Sequence, residues 1–241
     1  MNKNEILKQK YFNILSELDE SFLNEKHLYS KKVEGLSGLF LASEPENYWT
    51  AKNKIMIIGA ETRDWNINTL QEYSLDHYLL TSIEKNKVFL KKMINEPRTK
   101  KISFHDFTRA VADKSGYEGL IYCNLFSFSW KEKSPIGSKY FKEIHDVSKK
   151  LLSAQLNYFQ PDIVILATGL SSLKFRREIF SLDKCKDSID YENEAISKNQ
   201  LWQFNFDDKY TCYRIQHPST RTGRKEAQNA RNKLLELLPS K

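Results

Sequence analysis

Cysteine is scarce in this chain, and the few cysteines lack the spacing of a metal site. The 241 residues include three, Cys123, Cys185 and Cys212, and no C-x-x-C pair occurs among them. A typical iron–sulfur cluster takes four thiolate ligands. Two of the three fall inside predicted strands, where a cysteine is usually a small buried hydrophobic residue. The sequence therefore predicts no structural metal and no cluster.

The chain also lacks nucleotide-binding motifs and long apolar runs. Neither G-x-x-x-x-G-K-[ST] nor G-x-G-x-x-G occurs, which disfavours nucleoside-triphosphate and dinucleotide enzymes, so we expect no cofactor. No run approaches the roughly 18 apolar residues of a membrane span. The first residues lead into an amphipathic pattern instead of the apolar stretch of a secretory signal. We expect a cytoplasmic monomer with no membrane partner.

The composition indicates a globular protein with one basic region. The chain is 40% hydrophobic and 29% charged, and its length predicts a single domain over residues 1–241, with residues 1–53 as an N-terminal helical extension packed on it. The formal net charge is +7. Between Arg214 and Lys233, six basic residues stand against Glu226, a local excess of +5. Such a cluster suits a phosphate backbone; a solvated basic helix face is the alternative.

Apolar patterning predicts alternating strands and helices. Four short apolar runs are typical of buried strands: residues 54–59, 119–126, 162–168 and 210–215. Helical spacing occurs over residues 4–28, 70–93, 103–111, 139–159 and 224–238. Residues 201–206 form a hairpin with the last strand, and residues 184–200 are expected to be irregular. This order predicts an α/β fold, a three-layer α/β/α sandwich with a mainly parallel four-stranded central sheet.

Polar residues follow each of the four predicted strands. These endings are Gly59-Ala60-Glu61, Asn124, Gly169-Leu170-Ser171 and His217-Pro218-Ser219. In an open α/β sheet, ligands bind in the crevice outside the carboxyl ends of the strands. We therefore expect a carboxylate, an amide and an imidazole to surround one bound group.

The loop after the first strand carries two carboxylates and an aromatic residue. A glycine at a strand end lets a ligand approach the backbone closely, so Glu61 can point into the crevice, and Asp64 can share its role. An exposed loop carboxylate is the alternative for Glu61. Trp65 is either a stacking platform for a base or a core residue near the sheet edge.

The other strand endings supply different polar groups. Asn124 interrupts an apolar run, and a buried amide left without hydrogen bonds costs about 1–3 kcal/mol; it either bonds neighbouring backbone or reads a nucleobase edge. Phe126 is a core residue or a stacking surface. The turn at Ser171 offers backbone N–H groups and hydroxyls to an anion. His217 precedes a rigid proline, and no metal-ligand spacing links it to the other histidines.

In order and spacing over residues 54–238, these motifs resemble the uracil-DNA glycosylase superfamily. Its glycine-led motif corresponds to Gly59-Ala60-Glu61, its asparagine to Asn124 and its His-Pro-Ser motif to His217-Pro218-Ser219. The resemblance implies that Glu61, together with Asp64, positions the attacking water and faces the cationic sugar. It also implies that His217 hydrogen-bonds the departing base anion and that Asn124 reads the base.

The resemblance further implies that DNA is the partner. The target base must leave the helix before its glycosidic bond can be reached, while the protein holds the phosphates. The expected base-contacting residues are Asn124, Trp65, Phe126 and Arg63. The expected DNA-binding residues are Ser171, Ser219, Thr220, Arg221, Arg224 and Lys225.

One departure from the family bears on the substrate. Classical uracil enzymes have Gln-Asp-Pro-Tyr after the glycine, and the tyrosine blocks substituents at the pyrimidine 5-position. This chain has Ala60-Glu61-Thr62-Arg63. The sequence therefore predicts excision of uracil or, in preference to it, of a 5-modified pyrimidine as in hypermodified phage DNA, in repair or in phage defence. The alternatives are a catalytically silent DNA-binding relative and a metal-dependent phosphoesterase or nuclease with Glu61, Asp64 and His217 as ligands.

Overall fold

The computed structural model describes residues 3–23, 35–63, 65–67, 74–95, 103–221 and 223–241. Within these ranges the chain is an α/β protein with six strands and six α-helices. The strands are β1 (Ile55–Gly59), β2 (Leu120–Asn124), β3 (Ile163–Leu166), β4 (Cys185–Asp190), β5 (Leu201–Phe206) and β6 (Tyr210–Ile215). The helices are α1 (Lys3–Leu15), α2 (Leu75–Asn95), α3 (Ser103–Ser115), α4 (Phe141–Phe159), α5 (Leu173–Arg177) and α6 (Arg224–Leu237).

The six strands form one mixed sheet in the order β2-β1-β3-β6-β5-β4. The pairs β1/β3 and β3/β6 are parallel, whereas β5 runs antiparallel to both β6 and β4. The register sets Ile58 beside Leu166 and Leu166 beside Arg214. Because the three central strands are parallel and in step, they finish at the same edge of the sheet.

The prediction of four mainly parallel strands is wrong in strand number and only partly right in direction. The central apolar runs were recognisable because β1 and β2 are buried at every residue, which gives continuous apolar sequence. The missed strand β4 lies in the segment expected to be irregular. It is an edge strand whose residues 186–189 are all exposed, so it carries charges and no apolar period.

The first helix is shorter than its pattern predicts. α1 ends at Leu15, and a short 3-10 turn, Glu20–Phe22, follows after Asp19, whose carboxylate accepts a hydrogen bond from the amide of Ser21 at 2.9 Å. Residues 24–28 of the predicted helix, and residues 70–73 of the predicted second helix, lie outside the described ranges. α3, α4 and α6 start and end within a few residues of their predicted bounds, and α2 ends two residues beyond its predicted end. No bounds were predicted for α5.

Contacts divide the chain into two compact units that interleave along the sequence. The first unit comprises Met1–Ser43, Glu61–Val88 and Cys123–Gln160. The second unit comprises Glu44–Ala60, Phe89–Tyr122 and Pro161–Lys241. The prediction of one domain with a helical extension stays a prediction.

Within the first unit, α1 packs against α4. Tyr158 Oη donates a hydrogen bond to the carbonyl of Lys3 at 2.8 Å. The fully buried Tyr11 donates through Oη to the carbonyl of Ala42, also at 2.8 Å. These buried, hydrogen-bonded aromatic side chains make α1 part of the core of its unit.

Candidate functional site

Three parallel strands bring their carboxyl ends together within the second unit. β1 ends at Gly59, β3 at Leu166 and β6 at Ile215, and the amide of Ala167 continues the ladder by donating to the carbonyl of Ile58 at 2.9 Å. The loops that begin at residues 60, 167 and 216 therefore leave the sheet at one edge. In folds of this class that edge is where ligands bind.

The loop after β6 fixes the orientation of the His217 imidazole. The backbone amide of Ser219 donates a hydrogen bond to His217 Nδ1 at 3.2 Å, and the amide of Thr220 donates to the His217 carbonyl at 2.8 Å. The second bond closes a β-turn with Pro218 at its first central position, where its fixed φ is favoured. Since Nδ1 accepts, the proton of the neutral imidazole resides on Nε2, which is a hydrogen-bond donor.

The His217 ring is held on a second side by an aromatic residue of α3. The centroids of Phe104 and His217 are 5.6 Å apart with an angle of 32° between the rings. Phe104 is buried, whereas His217 is half-buried. The imidazole is therefore backed by apolar packing and keeps access to the solvent.

The turn after β3 also touches His217. Gly169 has φ +78°, and a Cβ placed on it would stand 3.4 Å from Cβ of His217. A side chain at this position would be strained by the positive φ and would be in van der Waals contact with the histidine. Next to it, Leu170 is 58% exposed and Ser171 is exposed. α5, which follows, has five residues, so its dipole adds little to the anion site expected at Ser171.

In the first unit, Glu61 is a partly buried carboxylate with a perturbed pKa. Burial raises the pKa of Glu61 above its usual value of 4.5, and the positive charge of Arg63 acts in the opposite direction. Arg63 is itself exposed, and its carbonyl accepts a hydrogen bond from Ser129 Oγ at 2.7 Å. A raised pKa suits a carboxylate that accepts a proton near neutral pH. Asp64 lies outside the described residues.

Asn124 is a buried residue at the carboxyl end of β2. The side chain is 3% exposed, and within the described ranges neither Nδ2 nor Oδ1 makes a hydrogen bond. Bonding to neighbouring backbone, one of the two interpretations of this residue, is therefore not observed. Each unpaired buried group costs about 1–3 kcal/mol, which makes Asn124 a candidate for pairing with a ligand.

Trp65 and Phe126 are core residues. Trp65 is 5% exposed; its Nε1 donates to the carbonyl of Leu39 at 3.1 Å, and its ring packs on Phe40 at 4.8 Å. Phe126 is 1% exposed and packs edge-on against Phe141 at 5.7 Å. Both rings are buried against other aromatic side chains. This agrees with the core interpretation and gives no support to base stacking.

A basic groove of about 540 Å³ lies in the second unit, between α3, the loop after His217 and α6. Its wall includes four of the predicted DNA-binding residues, Ser219, Thr220, Arg221 and Arg224. It also includes the basic residue Arg231. Lys225, also predicted, is exposed and lies outside the wall.

Sequence reasoning did not single out Arg231. It is 8% exposed, and its Nη2 donates to Gln228 Oε1 at 2.6 Å. The spacing of Arg224, Gln228 and Arg231 by four and three residues places them on one helix face, but this spacing does not show that α3 forms the opposite wall of a groove.

The described ranges contain neither a membrane-spanning helix nor a cluster of metal-ligating side chains. No helix there is both long and apolar enough to cross a bilayer. No group of three or more histidine, cysteine, aspartate or glutamate side chains in the part of the chain that the structure describes is placed to hold a metal ion.

No protein-family model matches the chain, and no curated protein matches it in sequence.

Proposed function

We propose that this protein is a DNA glycosylase that hydrolyses the N-glycosidic bond of a flipped-out pyrimidine and leaves an abasic site. The preferred base is a 5-modified pyrimidine, with uracil as a lesser substrate. The proposal includes a uracil-DNA glycosylase-like, three-layer α/β/α arrangement and a monomer that acts on DNA in the cytoplasm, in repair or phage defence. It is supported by the chemistry of three side chains.

The buried amide of Asn124 carries the proposal, because it has no hydrogen-bond partner among the described residues. A buried carboxamide presents one donor and one acceptor side by side, and a pyrimidine edge presents the matching acceptor and donor. A flipped base would supply the two hydrogen bonds that Asn124 lacks among the described residues. The cost of leaving these groups unpaired in the free protein is recovered only when such a ligand binds.

His217 is assigned to the leaving base. When the bond between C1′ and the base nitrogen breaks, the electron pair goes to the base, and negative charge develops on its carbonyl oxygen. The Ser219 amide keeps Nδ1 of His217 as an acceptor, so Nε2–H donates to that oxygen. A donor aimed at developing charge lowers the barrier because it needs no reorganisation during the reaction.

Glu61 is assigned to the water. The oxygen of the water forms the new bond to C1′, and one of its protons passes to the Glu61 carboxylate. The same negative charge faces the positive charge that develops on the sugar. Burial of Glu61 raises its pKa, which strengthens it as a base for this transfer.

Arg63 bears on the size of the base. It is exposed and occupies the place where the resembled family has a tyrosine that excludes 5-substituents. A flexible arginine can move aside for a bulky substituent or hydrogen-bond a polar one. We therefore assign the preference for 5-modified pyrimidines to this position.

The test is an abasic-site assay on duplexes that contain uracil, a thymine mismatch or a 5-modified cytosine. Wild-type protein should generate alkali-labile sites, most efficiently on the 5-modified duplex, and this should persist in chelator. Glu61→Gln and His217→Ala should each lose at least about 100-fold in rate. The control is Glu194→Gln, which makes the same change at an exposed carboxylate elsewhere in the chain and should keep the wild-type rate.

Other outcomes would replace the proposal. Direct strand breaks that disappear in chelator would indicate a phosphoesterase or nuclease. DNA binding without cleavage on any substrate, unaffected by Glu61→Gln, would indicate a silent relative. Efficient action on uracil alone would remove the preference for 5-modified bases.

A further inference from the structure

The groove between α3 and α6 has a positively charged wall. Its described lining includes three arginines, Arg221, Arg224 and Arg231, and one aspartate, Asp106. Asp106 forms a salt bridge with Arg109 at 2.7 Å, outside that lining. The acid is therefore already neutralised, and the arginines keep an excess of positive charge in the groove.

Arg231 is the unusual member of this set. It is buried, and Nη1 has no hydrogen-bond partner within the described residues. Burial, followed by the charge of Arg224, lowers the pKa of the Arg231 guanidinium. A buried cation with an unpaired N–H group is costly unless an anion balances it. A buried guanidinium that lines a groove and has one N–H group unpaired among the described residues is the mark of a ligand position.

The amino end of α6 adds to the positive electrostatic potential in the groove. The helix has 14 residues, its N-cap is Gly223, and no side chain of the described residues caps its first amides. Arg224 begins the helix and lines the groove, as do Ser219 and Thr220 just before it. Uncapped helix amides and the helix dipole both favour an anion at this position.

The length of the groove indicates more than one anionic group. Arg224 and Arg231 are seven residues apart on α6, hence about 10.5 Å along the helix axis. A strand of B-form DNA carries one phosphate per 3.4 Å of duplex axis, so two arginines this far apart can contact different phosphates of one strand. An isolated phosphate ion would leave most of the groove unfilled.

The groove begins next to His217. Pro218 follows His217 in the chain and lines the groove. On the opposite wall, Ser103 lines the groove, and its neighbour Phe104 packs on the His217 ring. A strand that lies in the groove would therefore bring a nucleotide beside the imidazole.

We propose that the groove holds consecutive backbone phosphates of the DNA strand that carries the target base, with Arg231 as the innermost phosphate ligand. The inference rests on the proposed function for the identity of the strand. It adds Arg231 to the DNA-binding residues expected from the sequence, and it assigns the phosphates to the groove between α3 and α6.

The test is fluorescence anisotropy with a labelled oligonucleotide duplex over a series of salt concentrations. Arg231→Gln should weaken binding at least about 10-fold, since a charge-assisted hydrogen bond is lost. The slope of log K against log salt should fall by about 0.9, one phosphate contact. Lys233→Gln removes the same charge from the same helix outside the groove and should leave both quantities close to wild type.

A second variant covers the case in which Arg231→Gln does not fold. Asn232→Asp adds a negative charge at an exposed position of the same wall and should also weaken binding. Equal binding by Asn232→Asp, Lys233→Gln and wild type would overturn the inference. So would an Arg231→Gln protein that folds and matches the Lys233→Gln control.

The source of the phosphate is tested in the same assay. Methylphosphonate linkages at two or three positions on one side of the target nucleotide should weaken binding of the wild-type protein as much as Arg231→Gln does. The Arg231→Gln protein itself should bind modified and unmodified duplexes almost equally. Competition by inorganic phosphate or a mononucleotide, without any effect of methylphosphonates, would indicate a small-molecule site and contradict the proposal.

Abasic-site formation, measured in parallel, separates the two proposals. Loss of binding in Arg231→Gln together with no abasic sites from wild type would keep the groove and reject the glycosylase. Wild-type binding and activity in Arg231→Gln would reject the groove alone.

Discussion

Gly169 and His217 lie against each other, so that a Cβ on Gly169 would stand 3.4 Å from Cβ of His217. The glycine adopts φ +78°, a backbone conformation that other residues adopt at a cost of about 1–2 kcal/mol. A side chain at Gly169 would therefore strain the turn after β3, which packs against the histidine.

Gly169→Ala should therefore disturb both stability and the His217 loop. We expect a fall in Tm of about 2–8 °C, given about 2–4 °C per kcal/mol for a chain of this size, and a lower rate of base excision. Calorimetry and the abasic-site assay measure these. Gly137→Ala is the control, because a Cβ there meets nothing within 4 Å; similar effects from both variants would contradict the role of Gly169.

The raised pKa of Glu61 predicts a pH-dependent stability. Because burial makes the folded-state pKa higher than the usual 4.5, the folded protein binds more protons between these two values than the unfolded chain. The free energy of unfolding contributed by Glu61 is therefore largest below pH 4.5 and is lost as pH rises through the folded-state pKa. Glu61→Gln should remove this loss and be more stable than wild type at pH 7.5.

Urea unfolding at pH 4.5 and pH 7.5 checks the Glu61 prediction, with the exposed Glu194→Gln as the reference. A Glu61→Gln protein that is less stable than wild type at both pH values would contradict it. The same pKa places the acid limb of the kcat/KM profile above pH 4.5, since the proposed base acts as a carboxylate.

Replacing Asn124 should separate stability from function. Asn124→Leu removes two buried groups that have no partner among the described residues, so stability should change by less than about 1 kcal/mol or increase. Base excision should fall at least about 10-fold, because the base loses its hydrogen bonds.

Asn86→Leu is the matched comparison for Asn124→Leu. Asn86 is also fully buried, but its Oδ1 accepts hydrogen bonds from the amide and the hydroxyl of Ser43 at 3.0 and 2.7 Å. Loss of these bonds should cost about 1–3 kcal/mol. Equal destabilisation by the two variants, measured by urea unfolding, would show that Asn124 has partners after all.

Two substitutions of His217 test which nitrogen matters. Asn places a polar atom near Nδ1 and can keep the bond from the Ser219 amide, whereas Gln places an amide N–H near Nε2. If Nε2–H stabilises the leaving base, His217→Asn should lose about 10²–10³ in rate, as expected for one oxyanion-type donor. His217→Gln should retain more activity. The reverse order of rates would place the role at Nδ1.

The sequence predicted the central strands and the hairpin well, since buried strands are continuous apolar runs and the bounds of β5 and β6 follow from alternation around a polar turn. It failed at β4, where exposure of residues 186–189 erases the apolar period. Propensity carries little information at such an edge, where pairing with β5 decides the conformation.

The candidate site was predictable only in part. Strand ends reveal which polar residues follow the sheet, and His217 could be found that way. Burial of Trp65 and Phe126 depends on contacts with Phe40 and Phe141, which are distant in sequence. The importance of Arg231 depends on α3 closing the other side of the groove, and a local pattern in α6 does not contain that information.

The exposed outer strand β4 has a consequence for how the molecules behave when crowded together. A sheet margin with open N–H and C=O groups invites a neighbouring copy to add its own strand. Here Lys186 is charged and pairs with Asp208 at 2.6 Å, and the register with β5 is interrupted between Lys186 and Ile189. The charge of Lys186 and the irregular register at this edge therefore oppose pairing of β4 with a strand of another molecule.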